Sequence, residues 1–549
     1  MGCLGKRMKA VRTLPTVPPN PGNKGAKPPF DVQGSFYNLG SSWVLANQAN
    51  PKARIAWLPI DFGLDAGKLI NCGAPVKSLI DGREWLPDTG FVSVGTPRTL
   101  TAPVLVPILS TVRSFPNNPH RKYCYTVQVY RNARYMVRTT YYYYGGPDDT
   151  PPVFDLIVDG TLWAVVNTTE DFAKGMSTYY EGVFLAQGKT MSVCLGSNNY
   201  TESDPFISAL EFVILEDSLY NSTDFKSYGL GLVARHGFGY TGPVIRYPDD
   251  KFDRFWVPFE GHNPINVSNT NVSVSDLWNL PPLKVFQSEL TTGQAETMEL
   301  NWPPGSVRES NYYIALYFAL GMLGSRVFNI SINGVPYYKN LDVTPEGLVV
   351  YARKWPLSGV TRITLTPSAG SSGGALINAG EVFDVLPLGG TTLTRDVIAL
   401  ESVKQRIQNP PSDWNGDPCL PRQYSWTGIT CSSGPRPRVV TLNLTSMGLS
   451  GSLSPSFANM TALSNIWLGK NNFSGPIPDL SSLKRLEKLH LEDNHFSGDI
   501  PSSLGNIVSL HELFLQNNNL TGQVPSSLTG KSGLDLRTSG NSLSAPPPS

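Results

Sequence analysis

A regular repeat near the C-terminal end of the chain constrains its fold more than any other feature. The repeat consists of four segments that follow one another from Val439: VVTLNLTSMGLSGSLSPSFANMTA, LSNIWLGKNNFSGPIPDLSSLKR, LEKLHLEDNHFSGDIPSSLGNIVS and LHELFLQNNNLTGQVPSSLTGKSG. The positions in register, Met447, Asn471, Asn494, Asn518 and Asn541, are separated by 24, 23, 24 and 23 residues. A fixed period of this length predicts a solenoid, in which small units stack and close a shared core.

Each segment follows the pattern LxxLxLxxNxxSGxIPxxLxxLxx with substitutions, which is the pattern of a leucine-rich repeat. We therefore expect a short right-handed leucine-rich-repeat solenoid over residues 438–545. Each unit should form one short strand whose leucines point inward, and its buried Asn should satisfy backbone groups between turns. The SGxIP continuation resembles that of plant extracellular leucine-rich repeats.

A small cysteine loop, DPCLPRQYSWTGITC, lies just before the first repeat, with Trp414 and Trp426 around it. The first unit of a solenoid has no neighbour on one side, so its apolar edge needs a cap. Residues 412–437 resemble the plant N-terminal capping segment, and this resemblance implies a disulfide between Cys419 and Cys431. Closing a loop of this size stabilises the fold by about 3 kcal/mol in the chain-entropy model, and only in an oxidising compartment. The alternative is two buried free thiols in a cytosolic protein.

The N-terminal part of the chain contains an internal duplication. VFDLIVDGTLW at 153–163 parallels VFNISINGVPY at 327–337, and FISALEFVIL at 206–215 parallels LINAGEVFDVL at 376–386. Both copies alternate apolar and polar residues with Gly-rich turns, which predicts two antiparallel β-sandwiches. We place them at 68–240 and 241–390, with the junction near 238–256.

Several motifs in a fixed order carry a family resemblance over residues 68–545. They are INCG at 70–73, WLPDTGFVSVG, LSTVRSFPNNPHRKYCYTVQV, RYPDDKFDRFW and the two duplicated segments. Together they resemble the plant malectin-like domain, a tandem of two malectin folds. Joined through GDPC at 416–419 to a short repeat region, the chain is similar to the extracellular region of leucine-rich-repeat receptor kinases of the symbiosis-receptor type. The implied fold class is mainly β: tandem malectin-like β-sandwiches followed by the solenoid.

The resemblance also implies a function. We expect the extracellular ligand-recognition region of a plant receptor-like kinase, or a soluble relative, that binds a cell-wall carbohydrate or secreted peptide and docks a co-receptor kinase ectodomain. The alternative is a carbohydrate-binding, lectin-like secreted protein without a signalling role. The expected location is the extracellular face of the plasma membrane, or secreted.

The chain departs from the family because it has no recognisable secretion signal, membrane span or kinase domain. Residues 1–67 are expected to form a leader that is disordered or partly non-native. Contact with a membrane is expected only through a C-terminal span that this chain lacks.

Composition and motifs exclude several classes of function. The 44 basic and 43 acidic residues leave a net charge of +1, which gives no case for a nucleic-acid partner. Only six histidines are present, and GSSGG at 370–374 matches a nucleophile elbow without the strand-to-helix context that such an elbow needs. We therefore expect no enzyme, no cofactor and no metal site.

A candidate carbohydrate site lies in TTYYYYGGPDDTPP, where a strand runs into a loop. Animal malectin holds a glucose disaccharide with aromatic side chains on such loops, so the resemblance points to Tyr142, Tyr144 and Asp148. Alternation along the strand would send two of the four tyrosines outward. The alternative is that these tyrosines are ordinary strand residues.

A candidate docking surface follows from the geometry of the repeats. The residue between the two strand leucines lies on the concave face, which gives the column Asn443, Trp467, His490 and Phe514, and the next exposed column contains Glu492 and Gln516. Exposed aromatic side chains in line are typical of binding hot spots. The alternative is that Trp467 and Phe514 only shield the neighbouring sheet.

Three further expectations concern the connections and the modifications of the chain. Residues 391–411 have apolar side chains at helical spacing and predict a linker helix followed by a hinge. Cys124 and Cys194 lie on predicted strands and could pair, which would leave Cys72 as a buried thiol. Ten glycosylation sequons begin at Asn167, Asn199, Asn221, Asn266, Asn271, Asn329, Asn443, Asn459, Asn472 and Asn519.

Overall fold

The computed structural model describes residues 67–100, 104, 106–145, 149–261, 263–267, 272–293, 295–321 and 326–544. The expected leader lies outside these residues except for Gly67, which begins the first strand. The described residues form two β-sandwiches and a solenoid, and none of their helices is long and apolar enough to cross a membrane.

The first sandwich consists of two facing layers of antiparallel strands and one short helix, α1 (Thr169–Ala173). Its strands are β1 (Gly67–Asn71), β2 (Ser78–Ile80), β3 (Arg83–Pro87), β4 (Thr96–Thr99), β5 (Thr111–Ser114), β6 (Arg121–Gln128), β7 (Arg134–Tyr141), β8 (Phe154–Val158), β9 (Thr161–Val166), β10 (Thr178–Leu185), β11 (Thr190–Ser197), β12 (Phe206–Ile207), β13 (Ala209–Leu215) and β14 (Tyr228–Phe238). One layer contains β1, β13, β7, β10 and β14, and the other contains the sheets β6-β11-β8-β9 and β12-β5-β4. Alternate residues of both layers, such as Val137, Phe212 and Val193, fill the core between them.

The second sandwich repeats this plan with fewer and longer strands. They are β15 (Val257–Phe259), β16 (Ile265–Val267), β17 (Ser288–Thr291), β18 (Met298–Phe318), β19 (Arg326–Ile332), β20 (Val335–Val343), β21 (Leu348–Pro367), β22 (Leu376–Ile377) and β23 (Ala379–Pro387). The duplicated sequences lie at equivalent places: the hairpins β8–β9 and β19–β20, and the strand pairs β12–β13 and β22–β23. The expected tandem of sandwiches is therefore present.

One sheet runs through both sandwiches, a feature that the sequence does not reveal. It has thirteen strands, because β14 pairs with β10 on one side and with β23 on the other. The inner face of this long sheet closes the two sandwich cores. Its outer face is covered by the segment that leads from the first sandwich into the second, which contributes Trp256, Val285 and Phe286 to a third apolar cluster. The two sandwiches thus share both a sheet and a core.

The solenoid contains two ladders of short strands, which are parallel except for the first pair, at the cap. Its elements are α2 (Thr394–Arg406), β24 (Ile429–Cys431), β25 (Val439–Asn443), β26 (Ser450–Ser452), β27 (Asn465–Trp467), β28 (Asn472–Gly475), β29 (Lys488–His490), β30 (His495–Asp499), β31 (Glu512–Phe514), β32 (Asn519–Thr521), α3 (Ser526–Thr529) and β33 (Asp535–Arg537). The concave sheet has the order β24-β25-β27-β29-β31-β33, and the SGxIP segments form the second sheet, β26-β28-β30-β32.

The repeated asparagines connect neighbouring turns of the solenoid as expected. The Asn471 side-chain amide donates to the carbonyls of Leu444 and Leu468, and its oxygen accepts from the N–H groups of Met447 and Leu449. Asn494, Asn518 and Asn541 make equivalent bonds. Because these backbone groups are buried, the asparagine ladder satisfies donors and acceptors that the short strands leave unpaired.

The cap closes the first turn of the solenoid. Trp414 and Trp426 are buried and stacked, with ring centroids 5.3 Å apart, and both belong to the solenoid core. Helix α2 also packs into this core through Leu400 and Val403. It is therefore part of the cap as well as a link from the sandwiches.

Candidate ligand-binding and docking sites

The predicted carbohydrate site lies where β7 ends. The strand ends at Tyr141, which is buried in the first core, so the alternation predicted for the following tyrosines is wrong from Tyr142 onward. Tyr142 is half-buried, and its N–H donates to the hydroxyl of Ser208. Asp148 lies outside the described residues.

Tyr143 and Tyr144 belong to one aromatic cluster at this strand end. Their ring centroids lie 5.4 and 5.8 Å from that of Phe206, and Tyr143 also contacts Phe172 at 5.0 Å. The Arg98 guanidinium lies 5.2 Å from the centroid of the Tyr144 ring. Tyr144 is thus held between the core and a cation, and these contacts leave it less free to stack on a sugar than the sequence suggests.

The predicted docking column is continuous on the concave face of the solenoid. Strand pairing places Asn443, Trp467, His490, Phe514 and Arg537 side by side, one from each strand. The rings of His490 and Phe514 stack at 4.1 Å, Trp467 lies 6.2 Å from His490, and Arg537 covers Phe514 at 4.0 Å. We call the four residues from Trp467 to Arg537 the aromatic column.

Charged side chains support one edge of the aromatic column. The Glu512 carboxylate lies 2.9 Å from Nε2 of His490 and 2.6 Å from Nζ of Lys488. The hydrogen bond from Lys488 holds the pKa of Glu512 below its ordinary value. The Glu512 carboxylate orients the His490 imidazole through its edge, and the faces of that ring remain available for contact with Trp467 and Phe514.

Glu492 and Gln516 lie beside the column, as expected. Both are half-buried, and Oε2 of Glu492 and Oε1 of Gln516 accept no hydrogen bond from any described residue. Gly469 takes the equivalent place one strand earlier, where a Cβ atom would lie 2.3 Å from Oε1 of Glu492. The glycine makes room for the glutamate, and the two acceptor oxygens are buried beside the column.

The GDPC segment builds the joint between the first sandwich and the cap. Gly416 has a φ of +65°, and a Cβ atom there would lie 2.6 Å from Sγ of Cys124. Asp417 accepts hydrogen bonds from the N–H groups of Thr392, Cys419 and Leu420. The glycine therefore lets the loop approach the sandwich, and the aspartate fixes the loop and the start of the cap to each other.

Lys122 is the centre of this joint, and no sequence pattern indicates this role. The lysine lies on β6 of the first sandwich, is buried, and donates to the carbonyls of Asp417, Leu420 and Tyr424 at 2.6–2.8 Å. Burial lowers the pKa of Lys122 to about 7, against the attraction of Asp417 and Asp413. Because its acceptors are backbone oxygens, only its place two residues before Cys124 in HRKYC could have drawn attention to it.

A second polar contact reinforces the joint. The Tyr424 hydroxyl of the cap donates to Asp155 of β8 at 2.7 Å, and Tyr200 donates to the other oxygen of the same carboxylate. Gly196 of β11 lies directly under the Tyr424 ring, where a Cβ atom would approach it to 2.7 Å.

The structure contains both disulfides considered from the sequence. Cys124 is joined to Cys194 between β6 and β11, and Cys419 is joined to Cys431 in the cap. Cys72 is a buried free thiol, and burial raises its pKa well above the ordinary value.

The sequon asparagines lie at the surface wherever the structure describes their side chains. Those at Asn199, Asn221, Asn443, Asn459, Asn472 and Asn519 are exposed, and those at Asn167 and Asn329 are half-buried. Asn271 and the side chain of Asn266 are outside the described residues. Glycosylation at the exposed positions remains a prediction.

Comparison with known proteins gives three family matches along the chain. The malectin-like domain matches residues 70–385, the leucine rich repeat N-terminal domain matches 393–432, and the leucine rich repeat matches 485–507 and 509–530. No catalytic domain is among these matches. The N-terminal repeat domain includes α2, in agreement with the packing of that helix into the cap.

Two relatives and one solved structure illustrate the similarity. A leucine-rich repeat receptor-like serine/threonine-protein kinase of Arabidopsis thaliana is 31% identical over 421 residues, which are 72% of this chain and 47% of the relative. A probable kinase of the same type and organism is 31% identical over 447 residues, 76% of this chain and 47% of the relative. The chain spans about half the length of these relatives. The crystal structure of the ANX2 ectodomain from Arabidopsis thaliana is 16% identical, covers 58% of this chain and 96% of its own, and superposes with a TM-score of 0.49.

Proposed function

This chain belongs to the malectin-like domain family, and we propose that it is the extracellular ligand-recognition region of a plant receptor-like kinase or of a soluble relative. Its sandwiches bind the ligand, a secreted peptide or a cell-wall carbohydrate. Its solenoid docks the ectodomain of a partner receptor. The expected location is the cell surface or the extracellular space, where its two disulfides would be stable.

The aromatic column is the observation that carries the docking part of this proposal. Trp467, His490, Phe514 and Arg537 form one ridge across four neighbouring strands, and the first three are only half-buried. Tryptophan, aromatic and arginine side chains dominate the energy of protein interfaces when a partner covers them. Glu492 and Gln516, which are half-buried beside the ridge, complete the proposed docking surface.

The rigid joint supports a signalling role for the two parts together. Lys122 and Tyr424 tie the solenoid to the first sandwich, so a ligand on the sandwiches and a partner on the solenoid would be held in a fixed relation. A partner that touches both the ligand and the solenoid would then bind more tightly in the presence of the ligand.

A binding assay on single variants tests the docking surface. Purified ectodomains of short leucine-rich-repeat receptor kinases are screened against the immobilised chain by biolayer interferometry. Trp467→Ala and Phe514→Ala should each weaken the best binder about 30-fold, the effect of a hot spot worth about 2 kcal/mol. The control is Val508→Ser, which removes an apolar side chain that is 90% exposed outside the column. Equal affinity of the column variants and the control would refute the docking surface.

A further inference from the structure

The concave sheet of the solenoid ends on a strand with one free side. The sheet runs from β24 at the cap to β33, which pairs with β31. Among the described residues, no strand pairs with β33 on the side away from β31. An uncovered strand edge is a template for pairing with another chain. We call this side of β33, with residues 534–538, the terminal edge.

The backbone of the terminal edge has its free groups in the middle of β33. The Asp535 N–H donates to the carbonyl of His511 on the β31 side. The Arg537 carbonyl accepts from the N–H of Leu515 on the same side. In a parallel ladder the residue between two such residues directs its N–H and C=O the other way. Leu536 therefore presents one donor and one acceptor to the terminal edge, and an identical antiparallel strand would satisfy both.

The apolar part of the terminal edge is small and incompletely covered. Leu534, Leu536 and Leu543 pack against the solenoid core but are only half-buried, whereas Leu515 of the preceding repeat is fully buried. Thr538 takes the place of Leu515 in the last repeat, so the edge is more polar than the inner repeats. A surface of this kind is tolerated in water and still gains free energy when a partner covers its leucines.

The charges on both sides of Leu536 are complementary to themselves under a two-fold rotation. Asp535 and Arg537 are exposed on the concave face and pair with each other at 2.7 Å. When two copies of β33 lie antiparallel with Leu536 opposite Leu536, Asp535 of each copy lies opposite Arg537 of the other. The two Leu536 residues exchange both hydrogen bonds, so the charged residues form close pairs without hydrogen bonds between their backbones. Opposite charges attract at such positions and like charges repel, which selects this register.

We infer that the terminal edge binds a second copy of this chain, in a symmetric dimer joined by antiparallel pairing of the two β33 strands. The two concave sheets become continuous, and the half-buried leucines of each copy cover those of the other. A contact of this symmetry is closed, so association stops at the dimer. The cap, to which the sandwiches are tied, lies at the opposite end of each solenoid.

Self-association goes beyond the proposed function and does not depend on it. Because the contact consists of one short strand and a few side chains from each copy, we expect a Kd on the order of 10 µM. Sedimentation velocity of the purified chain in physiological salt measures this value. A protein that stays monomeric up to about 200 µM, twenty times the expected Kd, would overturn the inference.

Single charge reversals place the dimer contact at the terminal edge. Asp535→Arg and Arg537→Asp each bring two pairs of like charges together and should weaken the dimer at least about tenfold. The matched control is Arg485→Asp, which makes the same charge change at an exposed residue elsewhere on the solenoid and should leave the Kd unchanged. Unchanged thermal unfolding shows that each variant is folded. A dimer of parental affinity in both single variants would overturn the inference.

Two charge exchanges test the antiparallel register itself. The double variant Asp535→Arg with Arg537→Asp restores both ion pairs with reversed polarity, and its Kd should lie within about threefold of that of the parent. The two single variants, mixed in equal amounts, should form a heterodimer, because each arginine then lies opposite an aspartate. A double variant as weak as the single variants, or a mixture without the heterodimer, would overturn the inference.

These results are distinguishable from a failure of the docking surface. Trp467 belongs to β27, and the strands β29 and β31 separate it from β33. Trp467→Ala should therefore weaken partner docking and leave the dimer unchanged. Docking without self-association, or self-association without docking, identifies which of the two proposals has failed.

Discussion

The two sandwiches carry the same hairpin in two different surroundings. In β8–β9 the two-residue turn is Asp159–Gly160, and in β19–β20 it is Asn333–Gly334. In each turn the first residue has a positive φ, and its side-chain oxygen accepts a hydrogen bond from a backbone N–H of a neighbouring strand of the sheet. The donor is Ser192 of β11 in the first sandwich and Arg362 of β21 in the second, each at 2.8 Å. The first hairpin lies under the cap of the solenoid, whereas the second is exposed.

The contacts of the first hairpin, and one residue that differs between the two hairpins, show what docking requires. A Cβ atom at Gly160 would lie 2.8 Å from Leu420 of the cap, and the next residue, Thr161, accepts from the N–H of Gly389. The equivalent Val335 of the second hairpin is 53% exposed. Duplication therefore accounts for the shared backbone and the shared glycine, and the contacts of one copy with Leu420 and Gly389 convert the same hairpin into a joint.

The largest effect is expected from Lys122→Met, which removes the centre of the joint. Three buried carbonyl oxygens of the cap would lose their donor, and the attachment of the solenoid should weaken by about 3 kcal/mol or more. Calorimetry should then show separate unfolding of the solenoid and the sandwiches, with new protease cleavage between residues 388 and 393.

The control for this prediction is Lys189→Met, because that lysine is exposed and lies directly before β11, a strand of the same sheet as β6. It should leave both the calorimetric profile and the cleavage pattern unchanged. A single unfolding transition in Lys122→Met, at the temperature of the parent protein, would show that the joint does not depend on the buried lysine.

Asp159→Asn should stabilise the protein by about 2 kcal/mol at neutral pH. Burial raises the pKa of Asp159 to about 6, partly offset by the hydrogen bonds from Ser192. A carboxyl group whose pKa is higher in the folded state contributes stability below pH 4 that is lost as the pH rises through 6. Asparagine keeps the accepted hydrogen bond, as Asn333 shows, and does not titrate.

Urea unfolding at pH 4, 5, 6 and 7 measures this difference. The free energy of unfolding of the variant should exceed that of the parent by an amount that grows up to about pH 6 and is then constant. The reverse exchange, Asn333→Asp, serves as the control and should change stability by less than about 0.5 kcal/mol, because that turn is exposed. A difference that does not vary with pH would contradict the titration of Asp159.

Local patterns were sufficient to predict the solenoid and the duplicated hairpins. The repeat period specifies which leucines are buried, and the same arithmetic places Trp467, His490 and Phe514 in one column. The shared sheet could not be predicted, because β14 and β23 are about 150 residues apart and neither strand carries a signal for its partner. Lys122 was missed for a related reason, because its role depends on backbone acceptors that only the fold brings to it.

The smallest effect is expected from the residue that follows each two-residue turn, which is Thr161 in the first hairpin and Val335 in the second. Each of them is replaced by the residue of the other hairpin. Thr161→Val keeps the shape of a buried side chain but removes the acceptor of the Gly389 N–H, which should cost about 1 kcal/mol. Val335→Thr places a hydroxyl on an exposed strand and should change stability by less than about 0.5 kcal/mol. Urea unfolding of the two single variants measures both values. If the two exchanges had equal effects, the polar contact under the cap would contribute nothing to the joint, and the docked hairpin would be held by Lys122 and the apolar contact of Leu420 alone.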